Sequence, residues 1–252
     1  MSVITRGSVD TYGSRLLRAL HAELRKVIAT RGTRVVLIVL VAAWACAALA
    51  IAALTLSGGA GVNVVGALMG MSAFVITLAP ILGILIMVGD WQSRDVVTLF
   101  ALEPRREIVF WAKVAAAAIT GLVVIVAAGI VAIVASVILA AIAQAPLVVT
   151  LTGTNTSEML LGSIVAVLTG IAYGAAIPRV AVAVTLALLQ GLAIDPLLAI
   201  DPSGIGRWFR LAAIADLGGD HGAIGPAVTA GILFVILPIA VGLVRTRRAD
   251  IR

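Results

Sequence analysis

Reactive side chains are scarce in this chain, and where they stand decides the chemistry open to it. The two histidines, His21 and His221, sit near opposite ends of 252 residues, so they cannot form the HExxH pair that holds zinc from one helical face. Cys46 is the single cysteine, which leaves neither an intramolecular disulfide nor a cysteine metal cluster. A phosphate-cradling loop needs a lysine directly after its last glycine, because backbone amides and the ammonium share the phosphate charge. The only lysines, Lys26 and Lys113, follow Arg25 and Ala112. No Gly-x-Ser-x-Gly elbow occurs either. The chain is therefore expected not to be an enzyme, to bind no metal or cofactor, and to hydrolyse no ATP itself.

Two groups of residues remain that could do something specific. The first lies in or beside the apolar stretches: Asp195 is the one acid within them, and Asn63, Thr77, Thr120, Thr169, Tyr173, Thr185 and Gln190 are polar residues that could line a path. Polar groups at membrane depth either bond between helices or line a path. The second is the charged stretch 90–113, DWQSRDVVTLFALEPRREIVFWAK, in which Val96, Leu99, Phe100 and Glu103 follow helical spacing. Pro104 stops that helix and opens another at its first turn, so a helical elbow is predicted, with Arg105, Arg106 and Glu107 before a second apolar run at 108–111.

The elements that must position these groups are long apolar runs. Runs of about 20 residues can cross a hydrocarbon core of roughly 30 Å as helix. They occur at 35–56, 64–88, 114–143, 159–177, 180–200 and 224–244, which predicts an all-α, polytopic membrane protein with six transmembrane helices. With 62% apolar and 12% charged residues, the chain lacks the polar surface to be stable in water. An even number of spans puts both termini on one side. If that side is the cytoplasm, sixteen of the eighteen Lys and Arg lie inside and only Arg207 and Arg210 outside. The positive-inside bias thus predicts cytoplasmic termini in the plasma membrane. The net charge of +6 sits at helix ends without an aromatic-basic groove, so it is read as topology signal and lipid headgroup contact, with no nucleic acid partner.

Residues 1–34 lack the apolar core of a signal peptide and read as a cytoplasmic amphipathic helix along the inner membrane surface, with Leu16, Leu17, Leu20, Leu24, Val27 and Ile28 on one face. The loop at 57–63 is expected to be a short flexible turn. Pro178 and Arg179 make a tight inner link, and the third span, being long, is expected to protrude inward near Lys113. Two Asp-Pro steps, Asp195-Pro196 and Asp201-Pro202, are expected to break the fifth span at its outer edge, making 195–223 a re-entrant outer gate. Residues 245–252 form a cytoplasmic tail.

The basic N-terminal helix with Glu23, Arg25 and Lys26 in ELRK, the six spans, and an inner loop with Asp95, Thr98-Leu99, Pro104, Arg105 or Arg106, and Lys113 together resemble the permease subunits of type 2 ABC exporters. That resemblance implies that the elbow 90–113 and the N-terminal helix dock on a separate ATPase, present in two copies and carrying the ATP and magnesium. It also implies a second six-helix permease subunit, identical or related, completing the pore. The chain is further similar to small actinobacterial drug-export permeases, which implies an apolar or amphipathic cargo, with drugs such as fluoroquinolones, lipids and peptides all open. A proton-coupled secondary transporter and a non-transporting assembly subunit are the alternatives from other classes. The pairs Gly66/Gly70 and Gly170/Gly174 permit close helix approach without identifying a dimer face.

Overall fold

The computed structural model describes residues 12–29, 31–57, 61–93, 106–149, 153–200, 204–219 and 222–248. Helix α1 (Tyr12–Ala29) precedes six helices long and apolar enough to cross a membrane: α2 (Arg31–Ser57), α3 (Val64–Ser93), α4 (Arg106–Ala143), α5 (Gly153–Ala176), α6 (Val180–Ala199) and α7 (Ile224–Arg248). Alanine, leucine, isoleucine and valine dominate all six, and where no water competes the backbone satisfies itself as helix.

α3 and α5 form the centre. More than half of each of these spans is buried, against roughly a quarter of the others. Their crossing is close because small residues meet there: a Cβ on Gly170 would fall 2.3 Å from the Pro80 carbonyl oxygen, and one on Gly83 would fall 2.8 Å from the Ile171 amide. Gly174 sits as tightly against Ile84 and Met87. The Gly170/Gly174 pair is thus consumed inside the subunit, and Gly70 likewise receives Ile51 of α2. Around this pair, α2 packs on α3 and α4, α6 on α3 and α5, and α7 on α5 and α4. The core holds Trp44, Met71, Leu82, Phe110, Val167 and Ile171.

Both termini of the described chain lie at one end, here called basal, with α1 against the start of α4. At the opposite, apical end, residues 61–63, the described part of the loop after α2, are held by pairing. Val62–Asn63 (β1) and Leu147–Val148 (β2) pair in parallel, Val62 opposite Leu147 and Asn63 opposite Val148. Gly61, at φ +103°, lets the chain approach Pro146 where a side chain would collide.

One further expectation is corrected. Asp195-Pro196 does not break the fifth span: α6 runs through it to Ala199 by way of a π-helical turn at Gln190–Ile194. The wider turn, in which the Asp195 amide reaches back to the Gln190 carbonyl, makes room for a proline ring that an unbroken α-turn would exclude. A second such turn, Ile232–Ile236, precedes Pro238 in α7. The third span begins ahead of its apolar run: Arg106–Ala143 is one continuous helix, with Ile108, Val109 and Phe110 buried in the fold.

Candidate functional site

At the basal end, three residues of the anticipated coupling set come together. Glu23 of α1 is 5% exposed and accepts a bond of 2.9 Å from Lys26, one helical turn away. Its other oxygen lies 3.5 Å from Lys113 Nζ of α4, which is 7% exposed. Val27, one turn on from Glu23, buries into the same core as Phe110. An amphipathic helix is therefore locked to the third span by a buried ion pair beside an apolar contact. Arg25 and His21 face away, exposed. Arg106 is half-buried at the start of α4, and Glu107 beside it pairs at 3.1 Å with Arg247 of α7. Arg245 donates to the Ala176 carbonyl at 3.0 Å, satisfying the open C-terminus of α5. Asp95, Thr98, Leu99, Phe100, Glu103, Pro104 and Arg105 lie outside the described residues.

Along the spans the polar residues divide. Asn63 caps α3, its Oδ1 accepting from the Val65 and Gly66 amides at 3.0 and 3.1 Å. Thr77 and Thr120 donate back to carbonyls of their own helices, Ala73 and Ala116. Thr185 is exposed on α6, and Tyr173 is half-buried on α5 against Ile84, Val88 and Ala183. These residues do not converge. Thr169, Gln190, Asp195 and Pro196 do.

Asp195 carries that convergence. It is 8% exposed, and its carboxylate accepts from Gln190 Nε2 at 2.5 Å and from the Leu211 and Ala212 amides at 3.0 and 2.7 Å. Those amides open the 3-10 helix Leu211–Gly218, which follows the shorter Gly206–Phe209 and has no cap of its own from Arg210. An acid in α6 thus supplies, from sixteen residues away, the cap that the 3-10 helix lacks. Ionised acceptors form the stronger bonds, and a helix N-terminus favours negative charge. The far side of the same helix is held by Ser157, whose hydroxyl donates to the Gly218 carbonyl.

Between α3, α5, α6 and this 3-10 helix lies a cavity of about 260 Å³. Its wall is mainly apolar, with Thr169, Asp195 and Arg210 as the polar side chains. Thr169 is spent on the Val165 carbonyl at 2.8 Å. Arg210 lies 3.6 Å from Asp216. Ile76, Gly191, Pro196 and Ala199 are exposed wall residues, so the cavity opens sideways between α3 and α6. Asp201 and Pro202 lie outside the described residues. The sequence marked Arg210 only as one of two outer charges, and nothing in its neighbours announced that its backbone would lead into the Asp195 clasp. Among the described residues no group of histidine, cysteine and acidic side chains could hold a metal ion. Neither a protein-family model nor a curated protein matches the chain.

Proposed function

We propose that this chain is the membrane-spanning permease subunit of an ABC exporter, half of a translocation path driven by a separate ATPase. The observation that carries the reading is the buried Glu23–Lys113 lock. Residues 94–105 connect α3 to α4, and α4 begins with the segment to which α1 is fastened. A partner pressing on that connection would move α1 and the third span as one body, which is what coupling to ATP-driven closure requires. The concentration of Lys and Arg at the basal end supports placing that end in the cytoplasm, where an ATPase resides.

In this reading the apical end is the exit. The 3-10 pair between α6 and α7 folds back as a short re-entrant element, and Asp195 ties its position to the fifth span. The π turn at Gln190–Ile194 is the point at which α6 can change pitch. Function would need a second six-helix subunit, identical or related, two ATPase copies and the surrounding lipid.

The test is copurification and coupled activity. The full chain should copurify with an ATPase subunit encoded beside it, and cargo should stimulate ATP hydrolysis by the complex. Leu99→Asp with Phe100→Asp should abolish both while insertion in the membrane persists. Wild-type copurification and export by that variant would reduce the elbow to a linker. Because Asp195 is a buried acid within a span, a proton-coupled transporter is the second reading. Uptake into proteoliposomes driven by a pH gradient, with no ATPase present, would establish that one instead.

A further inference from the structure

The cavity beside Asp195 has an electrostatic imbalance. The carboxylate is buried, yet every donor it meets is neutral: one amide side chain and two backbone amides. Among the described residues no cationic side chain lies within ion-pair distance of it, and the cation on the wall, Arg210, is placed against Asp216. On this wall Asp195 is thus the acid without a cationic partner among the described residues, while Arg210 leans on Asp216 and keeps its Nε buried without a hydrogen-bond partner. The three hydrogen bonds occupy part of the roughly four lone-pair positions a carboxylate offers.

A carboxylate in a low-dielectric wall attracts positive charge strongly, because little water is present to screen it. The remaining surface, with Val165, Ala166, Ala187 and Leu211, suits an apolar body.

We propose that this cavity binds a lipophilic cation, an amphipathic amine or quaternary ammonium compound whose apolar part enters sideways between α3 and α6 and whose charge settles at Asp195. The proposal deepens the exporter reading by giving its cargo a chemical class, and it rests on that reading only for the consequence that the bound molecule is transported.

Three probes of nearly equal shape separate charge from apolar fit: phenyltrimethylammonium, its neutral isostere tert-butylbenzene, and benzoate. Binding of each is measured to the full chain in lipid nanodiscs, with empty nanodiscs subtracted. The cation should bind most tightly. Asp195→Asn should weaken its binding by at least about tenfold while leaving tert-butylbenzene unchanged. Gly191→Leu places a side chain in the cavity wall where a Cβ meets nothing within 4 Å, so it should weaken cation and isostere alike without disturbing the helix packing. Equal or tighter binding of benzoate or tert-butylbenzene by the wild-type chain would overturn the proposal, as would undiminished cation binding by folded Asp195→Asn. If Asp195→Asn does not insert, the wild-type probe series and Gly191→Leu decide. Because no ATPase takes part, failure here leaves the exporter reading intact, and failure to copurify with an ATPase leaves the binding result intact.

Discussion

At the scale of single residues, the buried charges among the described residues, Glu23, Lys113 and Asp195, occupy two places. Glu23 and Lys113 are the clearer case, since each is almost fully enclosed and each has the other as its oppositely charged partner on a neighbouring helix. Removing one member of such a pair strands the other in a medium that solvates it poorly, whereas replacing both with apolar residues of similar volume removes the problem. Lys113→Ala should lower stability by about 2 kcal/mol, less than a fully stranded buried charge would cost, because Glu23 keeps its bond from Lys26. Glu23→Leu with Lys113→Met should recover most of that loss. Thermal unfolding of the four variants in one detergent completes the cycle. A Lys113→Ala protein as stable as wild type would show that α1 is held by its apolar face alone. Asp195 achieves the same burial by other means, with amides in place of a cation.

At the scale of elements, the π turn in α6 is the feature on which the apical geometry depends. It inserts one residue into the helical repeat, and each residue corresponds to about 100° of rotation around the helix. Were the turn to relax to ordinary α-helix, Asp195 would swing away from the amides of Leu211 and Ala212. Pro196 is the physical reason for the wider turn, so Pro196→Ala should permit that relaxation. Amide hydrogen exchange at Leu211 and Ala212 should then accelerate while α3 and α5 stay protected. Unchanged protection at those two amides would mean that packing around Gln190, not the proline, sets the turn. The α3–α5 pair is the fixed reference in this comparison, because Pro80, Gly83, Gly170 and Gly174 let the two backbones touch. With those glycines spent inside the subunit, any contact with a second subunit must use other surfaces.

At the scale of the whole molecule, a basal end with a locked surface helix and an apical end with a tied cap are joined by six helices of unequal burial. The charge distribution predicts an orientation for those helices, with the basal end inside. With Cys46 replaced, single cysteines at Thr154 and His221 should react with an impermeant thiol reagent in intact cells, and one at Arg106 should not. The reverse pattern would invert the orientation and place the Asp195 cavity in the inner leaflet. An inverted result would also separate the elbow from any cytoplasmic ATPase, so this one measurement bears on every functional statement made for the chain.

Hydrophobic run length was enough, from sequence alone, to mark the six long apolar helices, though not where α2, α4 and α5 begin, because a span needs only local information: about 20 apolar residues and a backbone that must bond to itself. The amphipathic helix before them was legible for the same reason, its periodicity being a property of one segment. The partner of each buried charge was not legible. Glu23 and Lys113 are ninety residues apart, and Asp195 finds its amides across a connection whose residues carry no motif. Proline at 196 read as a break because sequence rules describe the α-turn that proline disrupts, while the widened turn that accommodates it depends on neighbouring helices holding α6 in line. The cavity, likewise, belongs to no segment. It exists because α3, α5, α6 and a capped 3-10 helix leave space between them, and only their packing together put a buried carboxylate on its wall.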